Sequence, residues 1–288
     1  MSNYFDIIII GGGPAGISAM LQLDRYDYSK IMIRDSFLGG LLRAARKIEN
    51  YPGIGKSLSG IELSQSLKED FKDRDIFSEV DRITSVEQIE GRFVSHSKSG
   101  KEYYSDAVII ATGTKPKDID GDFSKEVNVD LFKRSIVDLP KNLESHKIII
   151  IGSGEAACDS ALSILEKGGK PVILCRGEVL KINRKLEAEL KEKEIEIHFS
   201  STLKIMKEQF SGKIFIELEN RKNYTSDFVM ACIGRTKNHF SIPELSEGLY
   251  FAGDLLREND RYMGLAVGDG IKAAMDCIRF LSEKRDRT

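Results

Sequence analysis

A chain of 288 residues that is 41% hydrophobic and 31% charged has enough apolar surface for a sizeable core, which excludes disorder as its main state, and its length points to about two domains. Its 43 Lys+Arg against 45 Asp+Glu leave a net charge of -2, which excludes nucleic acid as the main partner, because phosphate binding needs a clustered positive excess. The opening MSNYFDIIIIGGG has no basic start, and its isoleucine run is far shorter than the roughly 20 residues of a membrane span, so a cytoplasmic protein with no membrane span is expected.

The first element is a β-branched run, Asp6 to Ile10, followed by the turn Gly11-Gly12-Gly13-Pro14-Ala15-Gly16 and a helical pattern over roughly 14–24. A second strand follows at Lys30 to Arg34. Strand-like pieces come next near Ser78 to Ile83, Arg92 to Ser97 and Glu102 to Tyr104, read as a three-stranded antiparallel meander, and then the buried strand Asp106 to Ala111 with Thr112-Gly113. The plan then repeats. Ile148 to Ile151 leads into Gly152-Ser153-Gly154-Glu155-Ala156-Ala157, a helix over roughly 155–167 and a strand at Pro171 to Arg176. A meander near Leu203 to Lys207, Lys213 to Glu219 and Tyr224 precedes Asp227 to Gly234. A last strand, Leu249 to Phe251, ends at Ala252-Gly253-Asp254, and a helix runs from about Met263 to Leu281.

Strand, glycine turn, helix and strand form a βαβ unit of a parallel sheet. The last strand and helix find no place in the second copy, so the simplest topology returns them to the first. The first domain is then discontinuous (1–115 and 240–288), and the second (116–239) is inserted through two polar, basic linkers, Thr114 to Lys117 and Arg235 to Ser241.

A glycine turn between strand and helix has a specific use. It admits a tight turn, lets a phosphate approach the backbone, and presents the free N–H groups of the helix N-terminus to a pyrophosphate. One such turn is a weak signal; two, each in strand–turn–helix context, point to two dinucleotides in one chain. The four cysteines, Cys158, Cys175, Cys232 and Cys277, form no CxxC, and the four histidines lack ligand spacing, so no metal site is expected.

GGGPAG at 11–16, Gly39-Gly40, ENYPG at 49–53, ATG at 111–113, GSGEAA at 152–157 and YFAGD at 250–254 make the chain resemble, over nearly its whole length, the thioredoxin-reductase-like branch of the two-dinucleotide flavoproteins. The fold this implies is α/β, with two Rossmann-like, three-layer ββα dinucleotide-binding domains, the NAD(P) domain inserted in the FAD domain. The resemblance also implies roles. Gly11, Gly13, Pro14, Ala15 and Gly16 would cradle the FAD pyrophosphate. Gly39, Gly40, Leu41 and Asn50 would line its flavin end, and Ala111, Thr112 and Gly113 would pass under it. Gly253 and Asp254 would reach the ribityl chain or pyrophosphate, and the helix start at Arg261, Tyr262 and Met263 would face the pyrimidine side of the flavin. Gly152, Ser153, Gly154, Glu155 and Ala156, with Gly234, would hold NADPH or NADH. Arg176 and Lys181 match the charge of the family's NADPH-binding run, whereas Gly177 replaces its second arginine and Glu178 offers the acid that NADH would want.

Three departures bear on function. The stretch Val129 to Ile136, where a thioredoxin reductase carries its CxxC, has no cysteine, which closes dithiol–disulfide exchange at that place. Arg34 stands where many flavoproteins place the glutamate that binds the adenosine ribose; Asp35 or the backbone is left to take that contact. After Phe280 no aromatic residue follows that could cover the flavin, as it does in thioredoxin-reductase-like ferredoxin–NADP reductases. The expected activity is electron transfer between NAD(P)H and an acceptor through FAD, with the flavin as redox centre and no catalytic side chain nominated. A ferredoxin- or flavodoxin-linked reductase and a flavin-binding sensor without turnover are the alternatives. A small electron-carrier protein is a candidate partner, and a homodimer is the expected assembly.

Overall fold

The computed structural model describes residues 3–35, 37–54, 58–119, 127–244 and 246–286. The chain divides into two compact units, one of Met1–Arg43, Lys47–Lys115 and Thr236–Thr288, the other of Ala44–Arg46 and Pro116–Arg235.

In the first unit β1 (Tyr4–Ile10), β2 (Lys30–Arg34), β3 (Ser78–Val80), β4 (Ile83–Ile89), β5 (Arg92–Ser97), β6 (Glu102–Ile110) and β17 (Leu249–Phe251) form a seven-stranded sheet in the order β3-β2-β1-β6-β5-β4, with β17 also on β6. The strand β6 does two jobs. Its first half pairs antiparallel with β5, and its second half pairs parallel with β17, Val108 opposite Leu249 and Ile110 opposite Phe251. The last strand thus lies in the same sheet as the first.

Alternation explains the layering, because successive strand side chains point to opposite faces. Ile7, Ile9, Ala107 and Ile109 pack with α1 (Pro14–Leu23) and α5 (Met263–Asp286), while Ile8, Ile10, Val108 and Ile110 pack with Phe93 and Tyr103 of the meander. Both faces are buried, so the strands read as continuous isoleucine runs rather than as alternating ones.

The second unit repeats the plan. Its parallel sheet has the order β11-β10-β9-β15-β8, from β8 (Phe132–Lys133), β9 (Lys147–Ile151), β10 (Lys170–Leu174), β11 (Glu196–His198) and β15 (Phe228–Ala231). One face packs on α3 (Glu155–Glu166) and α4 (Arg184–Glu192). The other packs on a separate antiparallel sheet of β12 (Leu203–Glu208), β13 (Ile214–Leu218) and β14 (Asn223–Ser226). Between β14 and β15 the Asp227 carboxylate accepts from the Lys147 amide at 2.8 Å. Arg46 belongs to this unit and reaches Asp159, Glu166 and Glu189 at 3.2, 2.7 and 2.8 Å, with its own side chain only 6% exposed.

Several local expectations are corrected. Ser78–Val80 is not a meander strand but the edge of the parallel sheet, paired with Met32–Arg34, and the meander starts at Ile83. Glu102 to Tyr104 and Asp106 to Ile110 are one strand, since nothing between them breaks the pairing with β1. The helices α2 (Gly60–Asp73) and α4, with the strand β11, had no expectation at all. Both helices bury little, Gly60, Ser64 and Phe71 in one and Leu190 in the other, so their apolar stripe is thin. Their start signals were legible, however. Ser59 and Glu62 form a capping box on α2, and Asn183 caps α4 through the Leu186 amide. The last helix runs on to Asp286 because Lys284 pairs with Asp106 at 2.6 Å, while Arg285 approaches Asp6 at 3.8 Å and lies over the Tyr28 ring. Arg287 and Thr288, part of the tail read for a covering aromatic, lie outside the described residues. The linker residues β7 (Thr114–Pro116) and β16 (Arg235–Lys237) pair with each other as a two-stranded ribbon.

Candidate functional site

The two glycine turns are built alike, bond for bond. The Gly11 amide donates to Ile33 O at 2.8 Å, and the Gly152 amide donates to Leu174 O at 3.1 Å. Ala111 donates to Ile10 O and Cys232 to Ile151 O, both at 2.8 Å. Gly11 has φ +118° and Gly152 φ +150°, and a Cβ at either would come within 2.3 Å of a carbonyl oxygen, that of Ala111 or Cys232. Each first glycine is thus demanded by the neighbouring strand.

The middle glycines are different. Gly13 (φ -80°, ψ 179°) and Gly154 (φ -93°, ψ 177°) are the N-cap residues of α1 and α3, in extended backbone that any residue adopts. A Cβ at either would meet no atom within 4 Å. Neither the backbone nor packing asks for glycine there. What remains is space left above free helical N–H groups, the place where a pyrophosphate approaches. Pro14 follows Gly13 at the first helical position, where its missing N–H costs nothing.

The third position separates the copies. A Cβ at Gly16 would lie 1.9 Å from Gly11 O, so α1 presses on its own turn. In the second unit a methyl fits, and Ala157 is fully buried there.

Around the first turn the structure gathers most of the residues singled out in sequence. Gly39, at φ +98°, donates to Gly12 O at 2.8 Å, and a Cβ at Gly40 would sit 3.3 Å from the Gly13 Cα. Gly253, at φ +76°, stands over Ala15, whose Cβ would be 2.8 Å from one added there. That places Asp254 beside the turn, in the 3-10 segment Gly253–Leu256. Ala111 is buried at the end of β6, and Gly113 is open at φ +63°. Thr112 Oγ1 donates to Asn238 O at 3.0 Å and the Asn238 amide to Gly113 O at 3.0 Å. Asn238 escaped notice in sequence because it lies in the segment read as linker. The helix α5 starts at Met263, following Arg261 and Tyr262, and Tyr51 reaches its first turn, 4.0 Å from a Cβ at Gly264. Leu41 and Asn50 are exposed. Arg34 lies across the turn with its stem on Gly12, while Asp35 is exposed.

Around the second turn the chain makes the same return by another residue. The Lys181 amide donates to Ser153 O at 2.8 Å, the counterpart of Gly39 on Gly12. Glu155 opens α3, exposed, and accepts from Asn183 Nδ2 at 3.0 Å. Ala156, Arg176 and Lys181 are exposed, and Gly234, at φ +103°, accepts from the Lys117 amide at 3.0 Å. Cys158 and Cys175 are buried, and all four cysteines are free. Burial pushes the Cys158 and Cys277 thiols up to about 12 and Cys232 to about 11. The stretch that carries CxxC in the resembling enzymes contributes β8 instead, with Phe132 opposite Val229. Among the described residues no three His, Cys, Asp or Glu side chains could hold a metal ion, and no helix is long and apolar enough to cross a membrane.

Two glycine turns of one design, each on its own parallel three-layer unit, define a protein with two nucleotide-binding sheets. The family model described as pyridine nucleotide-disulphide oxidoreductase matches residues 5–280, and the chain belongs to that family, whose members typically bind FAD and NAD(P)H. It is an oxidoreductase of this family, thioredoxin-reductase-like, and carries no cysteine pair. It is 26% identical over 308 residues to the thioredoxin reductase of Bacillus subtilis (strain 168), covering 98% of this chain and 96% of that one. The solved thioredoxin reductase of Lactococcus lactis superposes with a TM-score of 0.84 at 20% identity, over 97% of this chain and 99% of that one. A bacillithiol disulfide reductase from Bacillus cereus gives 0.73 at 16% identity, over 96% and 99%.

Proposed function

We propose that the chain is a flavoprotein oxidoreductase that moves electrons between NAD(P)H and an acceptor through FAD, without a dithiol/disulfide centre. The observation that carries this reading is the pair Gly13 and Gly154, glycines that neither backbone nor packing requires and that stand under open space at two helix starts.

The residues of the first turn fit FAD. Gly13 and Pro14 leave the first N–H groups of α1 to the pyrophosphate. Asp254, beside the turn through the close approach of Gly253 to Ala15, would accept from a hydroxyl of the ribityl chain or stand beside the pyrophosphate. The start of α5 at Met263 would offer the positive end of a helix dipole to anionic charge on a bound flavin. When bound, FAD supplies two-electron and one-electron redox chemistry that no side chain of this chain provides. In the second unit Gly152, Ser153 and Gly154 receive the nicotinamide dinucleotide, and Arg176 with Lys181 favours the phosphorylated form. Since Val129 to Ile136 offers no thiol, the acceptor takes its electrons without a protein disulfide as relay.

The test is the visible spectrum of the purified protein, recorded before and after anaerobic addition of NADPH and of NADH. A yellow protein bleached by one of them is expected. A colourless chain that binds no added FAD overturns the reading.

A further inference from the structure

The adenosine corner of the first turn is built around a cation. Arg34 ends β2, the place from which a carboxylate would accept the ribose hydroxyls of a dinucleotide. Its stem lies flat on the turn: a Cβ at Gly12 would meet Arg34 Cδ at 2.9 Å and Cβ at 3.1 Å. Gly12 is therefore a glycine because Arg34 crosses it, and a larger residue there would push the side chain away. Arg34 Nε donates to Ser78 Oγ on β3 at 3.2 Å, which sets the plane of the guanidinium. The Arg34 carbonyl accepts from the Asp81 amide at 3.0 Å, so the backbone beneath is pinned as well. Asp35, the neighbouring acid, is exposed.

A carboxylate at this corner accepts from two hydroxyls and repels a phosphate. A guanidinium is a donor only, and its planar fork matches phosphate oxygens. Resting on the reading of the first turn as a dinucleotide site, we infer that Arg34 makes its adenosine corner selective for a phosphorylated ribose, so that 2′-phosphoadenosine nucleotides of the NADP type compete with FAD for the first unit. Flavin loading then responds to the NADP pool, through a side chain that sits outside the nicotinamide-binding turn.

The experiment follows quenching of FAD fluorescence as FAD rebinds to the flavin-depleted full-length chain, in the presence of 2′,5′-ADP or of 5′-ADP. In the wild type 2′,5′-ADP should inhibit rebinding at a concentration about tenfold or more below that of 5′-ADP, the scale of a charge-assisted contact. Arg34→Gln should bring the ratio to about one, and Arg34→Glu should invert it. The preference should shrink as salt is raised, which serves should the Arg34 variants fail to fold. Repeating the wild-type comparison in a Gly154→Val background removes the second turn from the readout, and the ratio should persist. A ratio near one in the wild type overturns the inference, as does a ratio that survives Arg34→Gln or is lost with Gly154→Val. Equal weakening of both nucleotides by Arg34→Gln, with no wild-type preference, would assign Arg34 to stacking on adenine instead. FAD binding with a ratio of one defeats this inference alone. A chain that quenches no FAD defeats the flavin reading and this inference together.

Discussion

Gly270 and Ala15, 255 positions apart in the chain, meet so closely that a Cβ on Gly270 would stand 2.0 Å from the Ala15 carbonyl oxygen and 2.3 Å from Ser18 Oγ. The same Ser18 hydroxyl contacts Val267 O and Ala15 O at 3.0 Å each. On its other side Ala15 is covered by Gly253. The first turn of α1 is thus gripped between α5 and the Gly253-Asp254 corner, which brings the last part of the chain against its first glycines.

Gly270→Val should therefore lower thermal stability. Overpacking costs about 1–3 kcal/mol, and at about 2–4 °C per kcal/mol the melting temperature falls by several degrees. Flavin retention should fall with it, because α5 moves off α1. Gly268→Ala, where a Cβ meets nothing within 4 Å, is the control and should melt as the wild type does. Scanning calorimetry with flavin absorbance reads both.

Glycines of the first turn should separate by role. Gly13→Ala should fold with stability within about 1 kcal/mol of the wild type, because its backbone accepts any residue and no atom opposes the methyl. It should bind FAD at least about tenfold more weakly, a difference of about 1.4 kcal/mol. Gly16→Ala should instead lose about 3 kcal/mol of stability through its clash with Gly11 O. Denaturant melts and flavin titration distinguish the two, and equal stability losses would contradict the assignment.

Cys158, Cys232 and Cys277 should be inert. Their thiols are pushed up to about 12, 11 and 12, first by burial, so at pH 8 only on the order of a thousandth of Cys232, and less of the others, is thiolate. Titration with a chromogenic disulfide should show none of the three reacting rapidly in the native protein and four thiols after unfolding. Rapid labelling of Cys158 would bring back a thiol relay in the second unit.

Asp106 should supply an acid-labile share of stability. Burial opposes its charge, but Lys284 and Tyr4, both at 2.6 Å, outweigh burial and hold its pKa below the ordinary carboxylate value. A folded-state pKa below the unfolded one of about 4 means stability present above that pH and lost as pH falls beneath it. Asp106→Asn should cost about 1–2 kcal/mol at pH 7 and flatten the fall in stability below about pH 4. Urea melts across pH 2.5–7, a range set about that reference pKa, test the slope.

Much of this architecture was written in local pattern. Two isoleucine runs, each followed by a glycine turn, announce strands buried on both faces and helices that start at open N–H groups, because strand periodicity and helix entry are short-range properties. The missing CxxC is likewise a matter of reading residues. Ser78–Val80 misled because its company, Met32–Arg34, is more than 40 positions away, and α2 and α4 escaped because a thin apolar stripe looks like a solvated loop. Which glycines are demanded by packing and which stand under open space was not legible in GGGPAG or GSGEAA. Gly11 answers to Ala111, Gly12 to Arg34, Gly16 to Gly11 itself and Gly270 to Ala15, while Gly13 and Gly154 answer to no atom of the chain. Steric exclusion acts between atoms in space, so the purpose of a missing side chain appears only once the distant backbone that crowds it, or fails to, has been brought alongside.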